Sequence, residues 1–142
     1  MAAEPNDAKA LGSLQVLDLG GLPTAYASRL LADFGADVVL IEPPGGDISR
    51  AMPPFAAGIE DGDHSLSFLA LHTNKRSAVI DVGSDIGRDQ LLELVRGADV
   101  LLESFAPGYL AGIGLSFEAL HAVNPRIVIC SVTPYGQTGP YA

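Results

Sequence analysis

The chain holds a single cysteine, no tryptophan, and 8 lysines and arginines against 17 aspartates and glutamates. Each scarcity excludes something. The lone Cys130 rules out a disulfide framework and a cysteine-built zinc site; set in an apolar run, it reads as a small buried hydrophobe. A net charge of −9 repels polyanions and makes nucleic acid a poor partner. Met1 to Ala10 is small and polar with no apolar stretch, so it reads as a disordered tail rather than a signal peptide or membrane span. No membrane association is expected, and the expected compartment is the cytoplasm. The turn Asp18-Leu19-Gly20-Gly21-Leu22-Pro23-Thr24 lacks the glycine fingerprint of dinucleotide folds, and neither a Gly-x-Ser-x-Gly elbow nor a P-loop occurs. His64, His72 and His121 have no metal-ligand spacing, so no metal is expected.

What is present is a core. Apolar residues make up 48% of the 142 positions, enough for one globular domain. The clearest pattern is an internal echo. Leu31-Ala32-Asp33-Phe34-Gly35-Ala36-Asp37-Val38-Val39-Leu40-Ile41-Glu42 is answered by Leu94-Val95-Arg96-Gly97-Ala98-Asp99-Val100-Leu101-Leu102-Glu103. Each copy predicts a helix closed by glycine, then Ala-Asp, then four apolar residues and a glutamate. Four apolar residues in a row suit a strand buried on both faces of a parallel sheet. Further strands are predicted over Leu14 to Leu19, Ser77 to Val82 and Arg126 to Val132. Helices are predicted from about Thr24 to Phe34, Ser65 to His72, Ser84 to Arg96, and from the cap Ser116 to about Asn124. The alternation implies an α/β fold, Rossmann-like and doubly wound, with a mainly parallel sheet and helices on both faces.

Loops at the carboxyl ends of such strands bind ligands. The segments that stand out are the long Pro/Gly-rich loop from Pro43 to Asp63, the run Glu103-Ser104-Phe105-Ala106-Pro107-Gly108, and the Gly/Pro-rich run from Thr133 to Ala142. The last of these ends the chain in the middle of a loop, which reads as one piece of a larger enzyme. Bases concentrate at Arg50 and at Lys75-Arg76, just before a strand. Two adjacent bases can neutralise a phosphate, with arginine supplying paired donors. Phe105 and the amides around it can lie against an aromatic ring.

In order and spacing these segments resemble the N-terminal part of the class III CoA-transferase family, whose members include formyl-CoA transferase, carnitine CoA-transferase and alpha-methylacyl-CoA racemase. The resemblance covers Leu11 to Ala142. It rests on Leu14-Gln15-Val16-Leu17-Asp18-Leu19, on Leu30 to Val39, on Gly45-Gly46-Asp47-Ile48-Ser49-Arg50, and on Asn74-Lys75-Arg76-Ser77. It continues through Ala98 to Glu103, Pro107-Gly108, Asn124-Pro125-Arg126 and Gly136-Gln137-Thr138-Gly139-Pro140-Tyr141-Ala142. It implies a Rossmann-like segment that binds coenzyme A or an acyl-CoA and acts on CoA thioesters and carboxylic acids, with no metal. CoA-contacting positions expected on this basis are Arg50, Asn74, Lys75, Arg76, Asp81, Glu103, Ser104 and Phe105. Pro43, Gly83 and Gly112 stand where many members carry bases. The family's nucleophilic aspartate, or the racemases' histidine, falls shortly beyond the segment matching Gly139-Pro140, so no catalytic residue is assigned here and the chain alone is expected to be inactive. Full-length members interlock as dimers, which implies a homodimer or association with the rest of a parent chain. A racemase-type segment and a non-catalytic half of a fused protein are the alternatives.

Overall fold

The computed structural model describes residues 9–142. Most of the expected tail therefore lies outside the described residues; Lys9 and Ala10 belong to a turn in which the Gly12 amide donates to the Lys9 carbonyl. Five strands, β1 (Gln15–Asp18), β2 (Asp37–Glu42), β3 (Arg76–Val79), β4 (Val100–Glu103) and β5 (Val128–Ser131), form one sheet in the order β3-β2-β1-β4-β5. Every pairing is parallel. The intervening helices are α1 (Leu22–Asp33), α2 (Leu66–His72), α3 (Asp85–Gly97), α4 (Tyr109–Gly112) and α5 (Phe117–Val123).

Strand alternation divides the core in two. Val16, Val38 and Leu102 face α1 and pack on Ala32 and Leu31. Leu17, Ile41 and Leu101 face the opposite way, onto Leu91 and Val95 of α3, Leu110 of α4 and Leu120 of α5. Burial on both faces is why β2 and β4 read as unbroken apolar runs. The helices start where side chains replace missing intrahelical partners. Ser65, Ser84 and Ser116 each accept from an amide three residues on. α1 has no such cap; Pro23 in its first turn needs no donor of its own.

Two strand expectations are corrected. β3 ends at Val79, not Val82, because the chain turns there: the Val82 amide donates to the Ile80 carbonyl, which moves Asp81 onto a loop. β5 is not a buried strand. It is the sheet edge, and only Ile127 and Ile129 reach the α3–α5 core. Among the described residues no helix covers its other face: Val128 is 60% exposed, and Cys130, in register with Leu102, is exposed rather than buried.

Candidate functional site

The strand order reverses between β1 and β4, and in an open parallel sheet the crevice beyond that point takes ligands. A cleft of about 340 Å³ lies there. One wall is the Gly20-Gly21 turn after β1; facing it are Ser104 and Phe105 after β4, with Tyr109 behind. Pro43 and Ile48 after β2, and Asp81, Val82 and Gly83 after β3, complete the rim. Phe105 stacks on Tyr109 at 4.7 Å between centroids, an aromatic platform beside a mainly apolar hollow.

Three loops are shaped by three buried acids. Asp18, Glu42 and Glu103 are the last residues of β1, β2 and β4, and each is at most 1% exposed. Each turns back the chain that follows it. Asp18 Oδ1 accepts the Gly20 amide at 3.1 Å, Glu42 Oε2 the Asp47 amide at 2.9 Å, and Glu103 Oε2 the Phe105 amide at 2.8 Å. A buried carboxylate needs such donors, and charge-assisted bonds of this kind are the strong ones. Asp47 adds a fourth tie, its Oδ2 accepting the Gly21 amide at 3.1 Å. Gly21 itself has no substitute: its φ is +94°, and a Cβ there would come within 2.5 Å of Ser104 Oγ.

Beneath the Gly20-Gly21 turn Asp18, Asp47 and Glu42 are joined by a buried polar network. Asp18 also accepts hydroxyl bonds from Thr24 and Ser28, and Lys75 Nζ lies 3.2 Å from its Oδ2. Lys75 Nζ meets His72 Nδ1 at 3.0 Å, and His72 Nε2 lies 3.1 Å from Ser49 Oγ and 3.5 Å from Asp47 Oδ1. Glu42 takes both Arg50 Nε (2.6 Å) and Arg50 Nη2 (2.8 Å), with the Ser77 hydroxyl as a further donor. Hydrogen bonding from Arg50 is the main reason the Glu42 carboxyl is held down to about 2, against the burial that opposes it. Burial also works against the charged form of Asp47, but bonds from His72, Ser49 and the Gly21 amide overcome it and lower its pKa. Burial pulls the Lys75 ammonium down, and the attraction of Asp18 resists that pull.

The eight residues singled out from sequence therefore separate. Asp81, Ser104 and Phe105 line the cleft. Glu103 lies under it, shaping the Phe105 turn. Arg50 sits at the edge of a neighbouring groove behind Asp47, its guanidinium committed to Glu42 and Asp63 and laid over the Phe68 ring. Lys75 and Arg76 do not form the phosphate-binding pair that adjacency suggests, because successive residues entering a strand point to opposite sides. Lys75 turns inward, with a side chain 1% exposed beside Asp18. Arg76 stands at the amino edge of the sheet, bonded through Nε and Nη2 to Asp37. Asn74, immediately before them, takes a left-handed conformation, φ +65°, and donates to Asp33. Sequence reasoning missed Asp47, His72 and Tyr109. Only Asp47 carries a local signal, an Asp two residues before a Ser whose amide it caps.

A parallel sheet of order 3-2-1-4-5 with a cleft at its reversal defines the class: an open, doubly wound α/β domain. The sequence profile of CoA-transferase family III matches residues 11–142, and the chain belongs to that family. It is 41% identical over 128 residues to the succinyl-CoA:(R)-benzylsuccinate CoA-transferase subunit BbsE of Thauera aromatica, covering 90% of this chain and 31% of that protein. It is 40% identical over 146 residues to the succinate–glutarate CoA-transferase of Agrobacterium fabrum, covering 100% of this chain and 36% of the relative. The chain thus spans about a third of the length of the curated relatives it matches. Among solved structures, a CAIB/BAIF family protein from Brucella suis superposes with a TM-score of 0.84 at 36% identity, over 94% of this chain and 35% of that one. Among the described residues, no helix is long and apolar enough to cross a membrane and no group of three His, Cys, Asp or Glu is placed to hold a metal.

Proposed function

We propose that this chain supplies the coenzyme A cleft of an enzyme that transfers CoA between carboxylic acids through acyl-CoA thioesters. The observation that carries the proposal is the cleft at the strand reversal, walled by the Phe105–Tyr109 stack and opened by Gly21. Phe105 offers the adenine ring a stacking face, Ser104 and Asp81 offer polar atoms at the rim, and the buried acids keep the loops in shape. Arg50, Lys75, Asn74 and Arg76 then serve as frame rather than as direct contacts. The related chains are named as CoA-transferases, of succinyl-CoA and (R)-benzylsuccinate, of succinate and glutarate, and of formyl-CoA and oxalate, which favours transfer over racemisation. Asp18, Glu42, Asp47 and Glu103 all spend oxygens on internal donors, which favours a loop-shaping role for these residues and a reacting carboxylate elsewhere in the working enzyme. The reading includes a cytoplasmic location, in keeping with a chain whose single cysteine is free. Titration calorimetry with CoA tests the reading. Phe105→Ala is expected to weaken CoA by about 1–3 kcal/mol, the worth of one stacked base. Equal affinity in mutant and wild type would remove Phe105 from the site, and no binding by the wild type would favour a non-catalytic half.

The same reading includes self-association. Along α1 and its C-cap, Leu22, Tyr26, Leu30 and Phe34 recur every four residues, 42%, 59%, 39% and 60% exposed, on the sheet face where Val128 and Cys130 of β5 are also bare. An exposed apolar row of this kind along a helix marks an interface. Light scattering at micromolar concentration is expected to return a dimer or larger species, and Phe34→Glu to shift it towards monomer. A clean monomer for the wild type would end the expectation.

A further inference from the structure

The cleft needs a cation if it holds a phosphorylated ligand, and all eight lysines and arginines of the chain fall within residues 9–142. Most are placed where they cannot serve. Lys9, packed near Gly35, Arg76, the first residue of β3, and Arg126, just before β5, lie towards the amino edge of the sheet. Arg96 is near the end of α3, which runs back from the carboxyl edge, and pairs with Glu93. Arg29 is turned to the Ala70 carbonyl of α2 and to Asp33. Lys75 and Arg50 are tied to Asp18 and Glu42, carboxylates at most 1% exposed that would be stranded without them.

The remaining base is Arg88, in the second turn of α3. Its Nη1 donates to the carbonyl of Gly83 at 3.1 Å, and Gly83 is part of the cleft rim. Its other partner is Asp85, whose side chain is 90% exposed, so that pairing is screened by water and easily exchanged. The opposite wall, meanwhile, is closed to phosphate. The Gly20 and Gly21 amides, which in dinucleotide folds would face a pyrophosphate, are already taken by Asp18 and Asp47, and Pro23 has no amide hydrogen to offer. A phosphate there would meet two carboxylates.

We propose that Arg88 is the phosphate contact of this cleft, exchanging Asp85 for a phosphate of the bound CoA thioester. The proposal rests on the reading of the cleft as a CoA site. It is tested by calorimetry with CoA and with dephospho-CoA, which lacks the 3′-phosphate, on the wild type, Arg88→Ala, Asp85→Ala and the double variant. Arg88→Ala is expected to bind CoA at least 10-fold more weakly with an unchanged melting temperature. Asp85→Ala is expected to bind severalfold more tightly, since it frees the guanidinium, and that gain is expected to vanish in the double variant. A loss confined to CoA assigns Arg88 to the 3′-phosphate; an equal loss with dephospho-CoA assigns it to the diphosphate. Wild-type binding that survives Arg88→Ala unchanged, or a gain from Asp85→Ala that persists without Arg88, overturns the role of Arg88 while leaving the CoA site standing. Absence of CoA binding by the wild type overturns both.

Discussion

Lys75→Ala is expected to destabilise the chain by about 3–5 kcal/mol, the cost of stranding a buried charge by removing its partner. That is a large part of the 5–15 kcal/mol that holds a typical domain together. Asp18 is fully buried, and it keeps the Gly20 amide and the Thr24 and Ser28 hydroxyls when the ammonium goes. Those donors are neutral or partial charges, so the loss is softened but not repaired. His72 loses the ammonium on its Nδ1 at the same time, and with it the link from Asp18 to Asp47. Urea denaturation at pH 7 measures the effect. Recovery of part of the loss in Lys75→Met/Asp18→Asn, where the stranded charge is also removed, is the second expected result. A loss under 1 kcal/mol for Lys75→Ala would place the ammonium in solvent and end the buried-network account. The prediction also separates two roles that sequence alone leaves together. A lysine that merely contacted phosphate at a surface would change affinity and leave stability alone.

Much of the fold was legible because it is written in local periodicity. The echo Ala36-Asp37-Val38-Val39 and Ala98-Asp99-Val100-Leu101 marked β2 and β4, and unbroken apolar runs identified them as central strands. The serine caps at 65, 84 and 116 stood where helices begin. β5 has an equally apolar run, yet it is an edge, and nothing in Val128-Ile129-Cys130 distinguishes a strand covered on two faces from one covered on one. That difference depends on which helix crosses where. The site was legible in a narrower way. Ser104 and Phe105 were recoverable from their position after a strand. Lys75 and Arg76 were recoverable as residues of note but not as roles, because adjacency in a chain says nothing about which neighbour turns inward. The network that joins Asp18, Lys75, His72 and Asp47 spans separations of up to 57 residues, and no local pattern announces it. Charge pairing had the same limit. A count of 8 bases in a chain of net charge −9 suggests that bases are scarce, but only geometry shows that Arg50 and Lys75 are spent on buried acids.

Acid is expected to weaken the fold through Glu42 by about 3 kcal/mol between pH 5 and pH 2. Its carboxyl is held down from 4.5 to about 2, first by the Arg50 hydrogen bonds and further by Ser77 and the Asp47 amide, against the opposing cost of burial. The folded chain therefore keeps this group ionised at pH values where the unfolded chain already protonates it. The unfolded state binds more protons, so stability falls as pH falls. The contribution is complete above about 4.5 and is lost progressively towards 2, and a displacement of that size is worth about 3 kcal/mol at 1.36 kcal/mol per unit. Asp47, lowered from 3.8, pushes in the same direction at the acid end of that range. Glu42→Gln keeps the shape and removes the titration. Its stability is expected to start lower at pH 7, because Arg50 loses a charged partner, and then to decline less steeply down to pH 3. Arg50→Gln is expected to flatten the same region by removing the largest cause of the displacement. Urea melts at pH 7, 5, 4 and 3 supply the curves. If wild type and Glu42→Gln lose stability in parallel below pH 5, the Glu42–Arg50 pair is not what holds the loop after β2 in place, and the shape of the cleft rim at Pro43 and Asp47 requires another source.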